Sequence, residues 1–337
     1  MTRRGQIVPF VPRRGLRNGH VMTIYTWGKP RRFPHMPPPV DRLFDVAAGT
    51  SVLAHCHWQP DRSAHPALLA LHGLEGSSHA HYMRGLADKA FADGFNVVLL
   101  NQRNCGGTED LSDTLYHSGL TADAAHVLQE LREVDGISRI VVTGYSLGGN
   151  LALKLAGDFG DQAPPELRAV CAVSPILEIG ACVRALERRQ NLVYQWNFVR
   201  GLKRRMRRKD RTHPGRFPIE RLRDVRTVRQ FDEYFTAPHF AFAGADDYYH
   251  KASALRVIHR VRVPTLVITA EDDPFVPVAP FLDPAVTSNP AITLMVTRHG
   301  GHCGFVTRGP DGGDCYWAEE RIMEFVKQNL SMPNDKC

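Results

Sequence analysis

From Pro66 onward, short apolar runs alternate with stretches of helical period, and no other feature of the chain limits its fold as tightly. The runs Ala67 to Leu71, Phe95 to Leu100, Arg139 to Thr143 and Ala169 to Ser174 predict strands. Between them, periods about Tyr82 to Ala92, Thr121 to Val134 and from Leu147 predict helices. Strands apolar along their whole length need cover on both faces, so the pattern predicts an α/β fold: a mostly parallel central sheet flanked by helices. Two earlier runs, Arg42 to Val46 and Ser51 to Trp58, joined by Ala-Gly-Thr, predict an antiparallel start. The rhythm stops over 175–263, which is polar, Arg-rich and helical in pattern. It resumes with Pro264 to Thr269, Ala291 to Val296 and an amphipathic helix about Trp317 to Asn329. Because the same sheet continues on either side, the interruption predicts a helical cap inserted between the sixth and seventh strands of one domain. The expected organisation is an arm over 1–40, rich in Pro and Arg and laid extended on the body, a core over 41–174 and 264–330, the cap over 175–263, and a flexible tail over 331–337.

A length of 337 residues suits one large domain with an insertion. The hydrophobic share of 43% and charged share of 23% are those of a globular protein, and no apolar run is long enough to span a bilayer. Pro9, Pro12, Arg13 and Arg14 interrupt any apolar stretch after the first arginines, which argues against a cleaved signal peptide. Seven cysteines without a Cys-x-x-Cys spacing predict reduced thiols and a cytoplasmic location. The net charge of +7 is concentrated: residues 184–229 hold sixteen Arg and Lys against four acids, so the rest of the chain is net acidic. Basicity therefore concerns one surface, and no nucleic acid is expected as a partner.

Gly144-Tyr145-Ser146-Leu147-Gly148 fits G-x-S-x-G, with the apolar strand Ile140 to Thr143 before it and the helical run Asn150 to Leu155 after it. A strand-to-helix turn this tight crowds the backbone on both sides of the serine, which explains the glycines. The serine then sits at a helix N-terminus, where the dipole favours developing negative charge. A serine hydroxyl needs a base, and the base an orienting carboxylate. In the α/β-hydrolase arrangement these follow as Ser, acid, His at the ends of later strands. The strand Pro264 to Thr269 runs into Glu271-Asp272-Asp273-Pro274, and Ala291 to Val296 runs into His299-Gly300-Gly301-His302. Asp273 is preferred for its four-residue spacing to Pro277, with Asp272 in reserve. His302 is preferred over His299 for its flanking glycines. The oxyanion donors expected are the N–H groups of Leu147, after the nucleophile, and Leu74, in His72-Gly73-Leu74-Glu75-Gly76 after the third strand.

Other chemistries lack support. His55 with His57, His79 with His81, and His299 with His302 are not at metallo-hydrolase spacing with a carboxylate, so no catalytic metal is expected. G-x-x-x-x-G-K-[ST] and G-x-G-x-x-G are absent, and no cofactor is needed.

The chain resembles the YheT-like branch of the α/β-hydrolases, bacterial relatives of the abhydrolase-domain lipases and the yeast ethyl-ester synthase/esterases. The resemblance runs almost end to end. It rests on Leu16-Arg17-Asn18-Gly19-His20 with Thr23, His72 to Ser78, Asn101-Gln102-Arg103, Tyr116-His117-Ser118-Gly119 and Gly144 to Asn150. It continues in Phe231-Asp232, Thr236-Ala237-Pro238, Asp247-Tyr248-Tyr249, Asp272 to Phe275 and Gly300-Gly301-His302. The resemblance implies a Ser146, Asp273, His302 triad and hydrolysis of carboxylic esters, short- to medium-chain or lipid-derived. It also implies acyl transfer to alcohols, or phospholipase or monoacylglycerol lipase activity, as alternatives within the family. Two departures stand out: Arg103-Asn104 where the family usually has Arg-Gly, and Val21-Met22 after the arm histidine. No His-x-x-x-x-Asp occurs. A reading from another class makes the basic run Gly201 to Lys209 a contact for RNA or for an anionic membrane surface, peripheral to the inner face of the membrane. Against it stands an ordinary solvated helix face.

Overall fold

The computed structural model describes residues 9–308 and 315–331; arm residues 1–8, residues 309–314 and tail residues 332–337 lie outside them. Eight strands form one sheet in the order β1-β2-β4-β3-β5-β6-β7-β8. They are β1 (Val40–Ala47), β2 (Thr50–His57), β3 (Ala67–Leu71), β4 (Asn96–Leu100), β5 (Ile140–Tyr145), β6 (Leu167–Val173), β7 (Thr265–Ala270) and β8 (Ile292–Thr297). β2 runs antiparallel to β1 and β4, and all remaining pairs are parallel. β3 to β7 are buried from end to end apart from Arg168, as their unbroken apolar sequence requires. Alternate residues feed two cores: Leu69, Leu71, Val98 and Val142 one, Leu68, Ala70, Val97 and Val141 the other.

Register decides where the site can form. Leu71 pairs with Gly144, Tyr145 with Val173, and Ala270 with Thr297, so the loops after β3, β5, β7 and β8 leave one edge of the sheet together. Helices α2 (His81–Ala92), α3 (Ala122–Glu133) and α4 (Leu147–Phe159) link β3, β4, β5 and β6 in turn; between β6 and β7 the described chain holds helices and turns only, chiefly α5 (Ile179–Leu186) and α6 (Leu192–Thr212). No helix among the described residues is long and apolar enough to cross a membrane.

Two parts differ from the sequence reading. Within the arm, read as extended, Gly19–Gly28 form helix α1, capped by Asn18, whose Oδ1 accepts from Val21 N at 3.2 Å. Only Gly19, Met22 and Thr26 of it are buried, too narrow a stripe for a helical period to stand out among prolines and arginines. The basic run of α6 is not one solvated face either. Arg205 and Lys209, one turn apart, lie buried on the same side as Leu202 and Met206. Arg205 Nη2 is 2.9 Å from Glu75 Oε1, with its guanidinium 4.5 Å from the Tyr116 ring centre. Lys209 Nζ donates to the carbonyls of Glu109 (2.7 Å) and Ser112, and Arg208 pairs with Glu109. Half of the run thus holds cap to core, where an unpaired charge would be costly.

Candidate active site

Ser146 stands between β5 and α4 (Leu147–Phe159) with φ +55°, a left-handed conformation that a serine adopts only at a cost of about 1–3 kcal/mol. A Cβ on Gly144 would overlap the Gly148 carbonyl, and one on Gly148 the Leu71 carbonyl. The two glycines are therefore steric requirements of the turn. Ser146 N donates to Val173 O at 2.9 Å, tying the turn to the next strand.

The loop after β7 places Asp273 with no exposed side-chain surface. Its Oδ1 accepts from Phe275 N (3.1 Å) and Val276 N (2.9 Å), and its Oδ2 lies 2.8 Å from His302 Nδ1. A carboxylate can only accept, so a proton is on Nδ1, and in the neutral ring Nε2 carries the lone pair. Asp272 and His299 also pair, at 3.3 Å, and Asp272 Oδ1 accepts from Gly301 N at 2.9 Å. The two candidate acids and two candidate histidines thus sort into two pairs. His302 and Ser146 line one cavity; Asp272 and His299 are not in its lining.

Helix α1 supports this loop. Thr23 Oγ1 accepts from His302 N at 2.8 Å and donates to Gly19 O at 2.7 Å. Gly19 packs so closely on Asp272 that a Cβ there would overlap its carbonyl. The sequence singled out Gly19 and Thr23 only as part of a resemblance; their contacts make them positioning residues for the histidine.

The N–H groups of Leu74 and Leu147 have no hydrogen-bond partner among the described residues, and both leucines line the cavity beside Ser146. His72 shapes the first of these loops. Its Nε2 accepts from Gln102 N (3.1 Å), so Nδ1 carries the proton donated to Gly73 O (2.8 Å), and burial pushes its pKa down to about 4. Tyr82 OH accepts from Gly73 N at 3.1 Å. Asn104 stands at φ +62°, and its Nδ2 donates to Thr114 O at 2.7 Å. Asparagine tolerates this region far better than most residues. Val21 faces solvent and Met22 is buried.

Two cavities meet at Ser146. The inner one, about 80 Å³, lies under the cap among Leu74, Ile179, Val183, Leu186, Phe198 and Phe275. The outer one, about 500 Å³, opens between α1, the loop of Gly73 to His81, and α6. Their cap side is held by polar residues that no spacing rule identifies. Asn150 Nδ2 donates to Ser118 O (2.8 Å) and Ala252 O (2.9 Å), and its Oδ1 accepts from Ala254 N (2.8 Å). Tyr248 OH donates to Ser118 Oγ, and Asp232 accepts from Tyr249 OH and Thr236 Oγ1, each at 2.8 Å. Among the described residues no group of three or more His, Cys, Asp or Glu could hold a metal. His55 Nδ1 instead meets Ser78 Oγ, and His57 Nδ1 the Pro37 carbonyl, each at 2.9 Å.

Comparison with known proteins agrees with this fold. The family model described as alpha/beta hydrolase fold matches residues 66–308. YheT of Escherichia coli strain K12, named as an inferred esterase, is 33% identical over 330 residues, 95% of this chain and 94% of its own. A monoacylglycerol lipase of Saccharomyces cerevisiae is 27% identical, over 81% of this chain and 65% of its own. Among solved structures, the esterase Pf2001 of Pyrococcus furiosus superposes with a TM-score of 0.59 at 18% identity, covering 89% of this chain and all of its own. With its sheet order, serine turn and an end-to-end relative in YheT, the chain belongs to the α/β-hydrolase fold family.

Proposed function

We propose that the chain is a serine hydrolase of carboxylic esters, with Ser146 as nucleophile, His302 as general base and acid, Asp273 as its orienting carboxylate, and the Leu74 and Leu147 amides as oxyanion donors. The observation that carries this reading is the Asp273–His302 pair, which leaves Nε2 as the basic nitrogen on the cavity that Ser146 lines. Nε2 takes the Ser146 proton as Oγ attacks the ester carbonyl, and the oxyanion forms against the two amides. The imidazolium returns that proton to the leaving alcohol, and water activated by the same nitrogen releases the acid. No cofactor enters.

The inner cavity suits the acyl group. At about 80 Å³ it is smaller than the apolar cavities of about 150 Å³ that accept benzene. The alcohol then lies in the outer opening. Across p-nitrophenyl esters of increasing length, kcat/KM is expected to be highest for short acyl chains and to fall as the chain outgrows the inner cavity. No turnover of any member would refute the reading; a rise toward long chains would refute the division of the two cavities.

A pH profile tests the base. Burial pushes the His302 pKa down, but the Cys303 sulfur and the Asp273 carboxylate beside it outweigh burial and raise it to about 10. Only the neutral ring accepts the serine proton, so kcat/KM is expected to keep rising from neutral toward alkaline pH, instead of levelling off in the ordinary imidazole range. Cys303→Ala is expected to move that limb toward acid. A profile flat above pH ~6.5, the ordinary imidazole value, would show that the base is not raised, and a profile with no acid limb would contradict His302 as the base.

A further inference from the structure

Twelve large apolar side chains are exposed among the described residues, and half of them fall on two helices that touch: Val21, Ile24 and Trp27 on α1, and Leu192, Val193 and Trp196 at the start of α6. The helices meet where His20 stacks on Tyr194, with Nδ1 3.1 Å from the tyrosine hydroxyl. Both border the mouth of the outer cavity, which Trp27 and Tyr194 line. At helical spacing the exposed face of α6 continues from Trp196 into Arg200, Arg204, Arg207 and Arg211. Among the described residues none of these four is in an ion pair, whereas Arg205 and Arg208 on the inner side are. Arg200 lies 5.4 Å from the Trp196 ring centre.

A clustered apolar patch of this kind is unusual on a protein that meets only water. Its chemistry is that of a lipid headgroup boundary: tryptophans with an apolar body and a polar edge, aliphatic side chains beside them, and a row of guanidinium groups matched to phosphate. A second copy of this chain fits less well, because it would bring the two arginine rows together. We propose that the joined faces of α1 and α6 dock on the surface of an anionic lipid bilayer and hold the cavity mouth against it. The docking rests on the ester-hydrolase reading only for the meaning of that mouth.

The test is co-sedimentation of the full chain, carrying Ser146→Ala, with vesicles of phosphatidylcholine alone or mixed with phosphatidylglycerol, at low and high salt. The parent is expected to sediment with the anionic vesicles, less at high salt and least with the neutral ones. Arg200→Gln, Arg204→Gln and Arg207→Gln together are expected to weaken anionic binding by about two orders of magnitude, at about 1 kcal/mol per arginine. Ile24→Ser, Val193→Ser and Trp196→Ser together are expected to abolish binding to both vesicle types. Introduced into the otherwise wild-type chain, they are expected to leave turnover of a soluble short ester unchanged. No sedimentation of the parent at low salt overturns the proposal, as does serine-variant binding equal to the parent's. A concentration-dependent dimer lost in the serine variant would assign the face to a second copy and also overturn it. If vesicle binding follows the expected pattern while no ester is hydrolysed, the docking stands and the hydrolase reading falls.

Discussion

Ser146→Ala is expected to lower ester turnover by about 10⁴ to 10⁶-fold, with the fold unchanged. The loss is this large because nucleophile and base act as a unit: without Oγ, the Asp273–His302 pair has no proton to receive. What remains is the oxyanion site acting on water. Alanine accepts the turn no worse than serine, since the Ser146 side chain makes no hydrogen bond that holds α4 in place. A fluorophosphonate probe is expected to label the wild-type chain at Ser146 and to leave the variant unlabelled. Labelling at another residue, or a variant that keeps its activity, would remove Ser146 from the mechanism.

The second large effect separates two neighbouring acids. Asp273→Asn is expected to reduce kcat by about 10⁴-fold, because an amide can donate to Nδ1 and so stabilise the wrong imidazole tautomer. Asp272→Asn is expected to cost far less: Asp272 holds the Gly301 amide and His299, both outside the cavity lining. Thermal unfolding of the two variants separates chemistry from loop stability. The reverse order of kcat losses would exchange the roles of the two pairs.

The parts of this site that could be read from the sequence are those where local backbone geometry forces residue identity. Gly144 and Gly148 are excluded from carrying a side chain by carbonyls within a few residues or on the adjoining strand, so the serine turn is visible as a spacing. The strand and helix rhythm is equally local, and the parallel strands lie within a residue or two of where apolar runs place them. What could not be read depends on contacts across the chain. Helix α1 buries too few side chains to show a period, and its Thr23 acquires a role only where His302 arrives from the far end of the sequence. Arg205 looked like its neighbours in a basic run. Its partner, Glu75, lies in the loop after β3, and nothing in the spacing of the run says which arginines turn inward. Asn150, Tyr248 and Asp232 were visible only as matches to a family, because their partners are distant in sequence: Asn150 ties the serine helix to the cap, Tyr248 ties the cap to Ser118, and Asp232 accepts from Tyr249 within the cap.

The clasp between Thr23 and the amide of His302 joins residues 279 positions apart. A ribosome adding roughly 5–20 residues per second makes the first of them tens of seconds before the second emerges. During that interval the serine turn can already be complete while its base is still inside the exit tunnel. A nascent chain is therefore expected to be inert toward esters until translation is nearly finished, and α1, made early, to wait without the loop it will hold. A chain that ends after the serine turn and before that loop carries Ser146 without the histidine proposed to activate it.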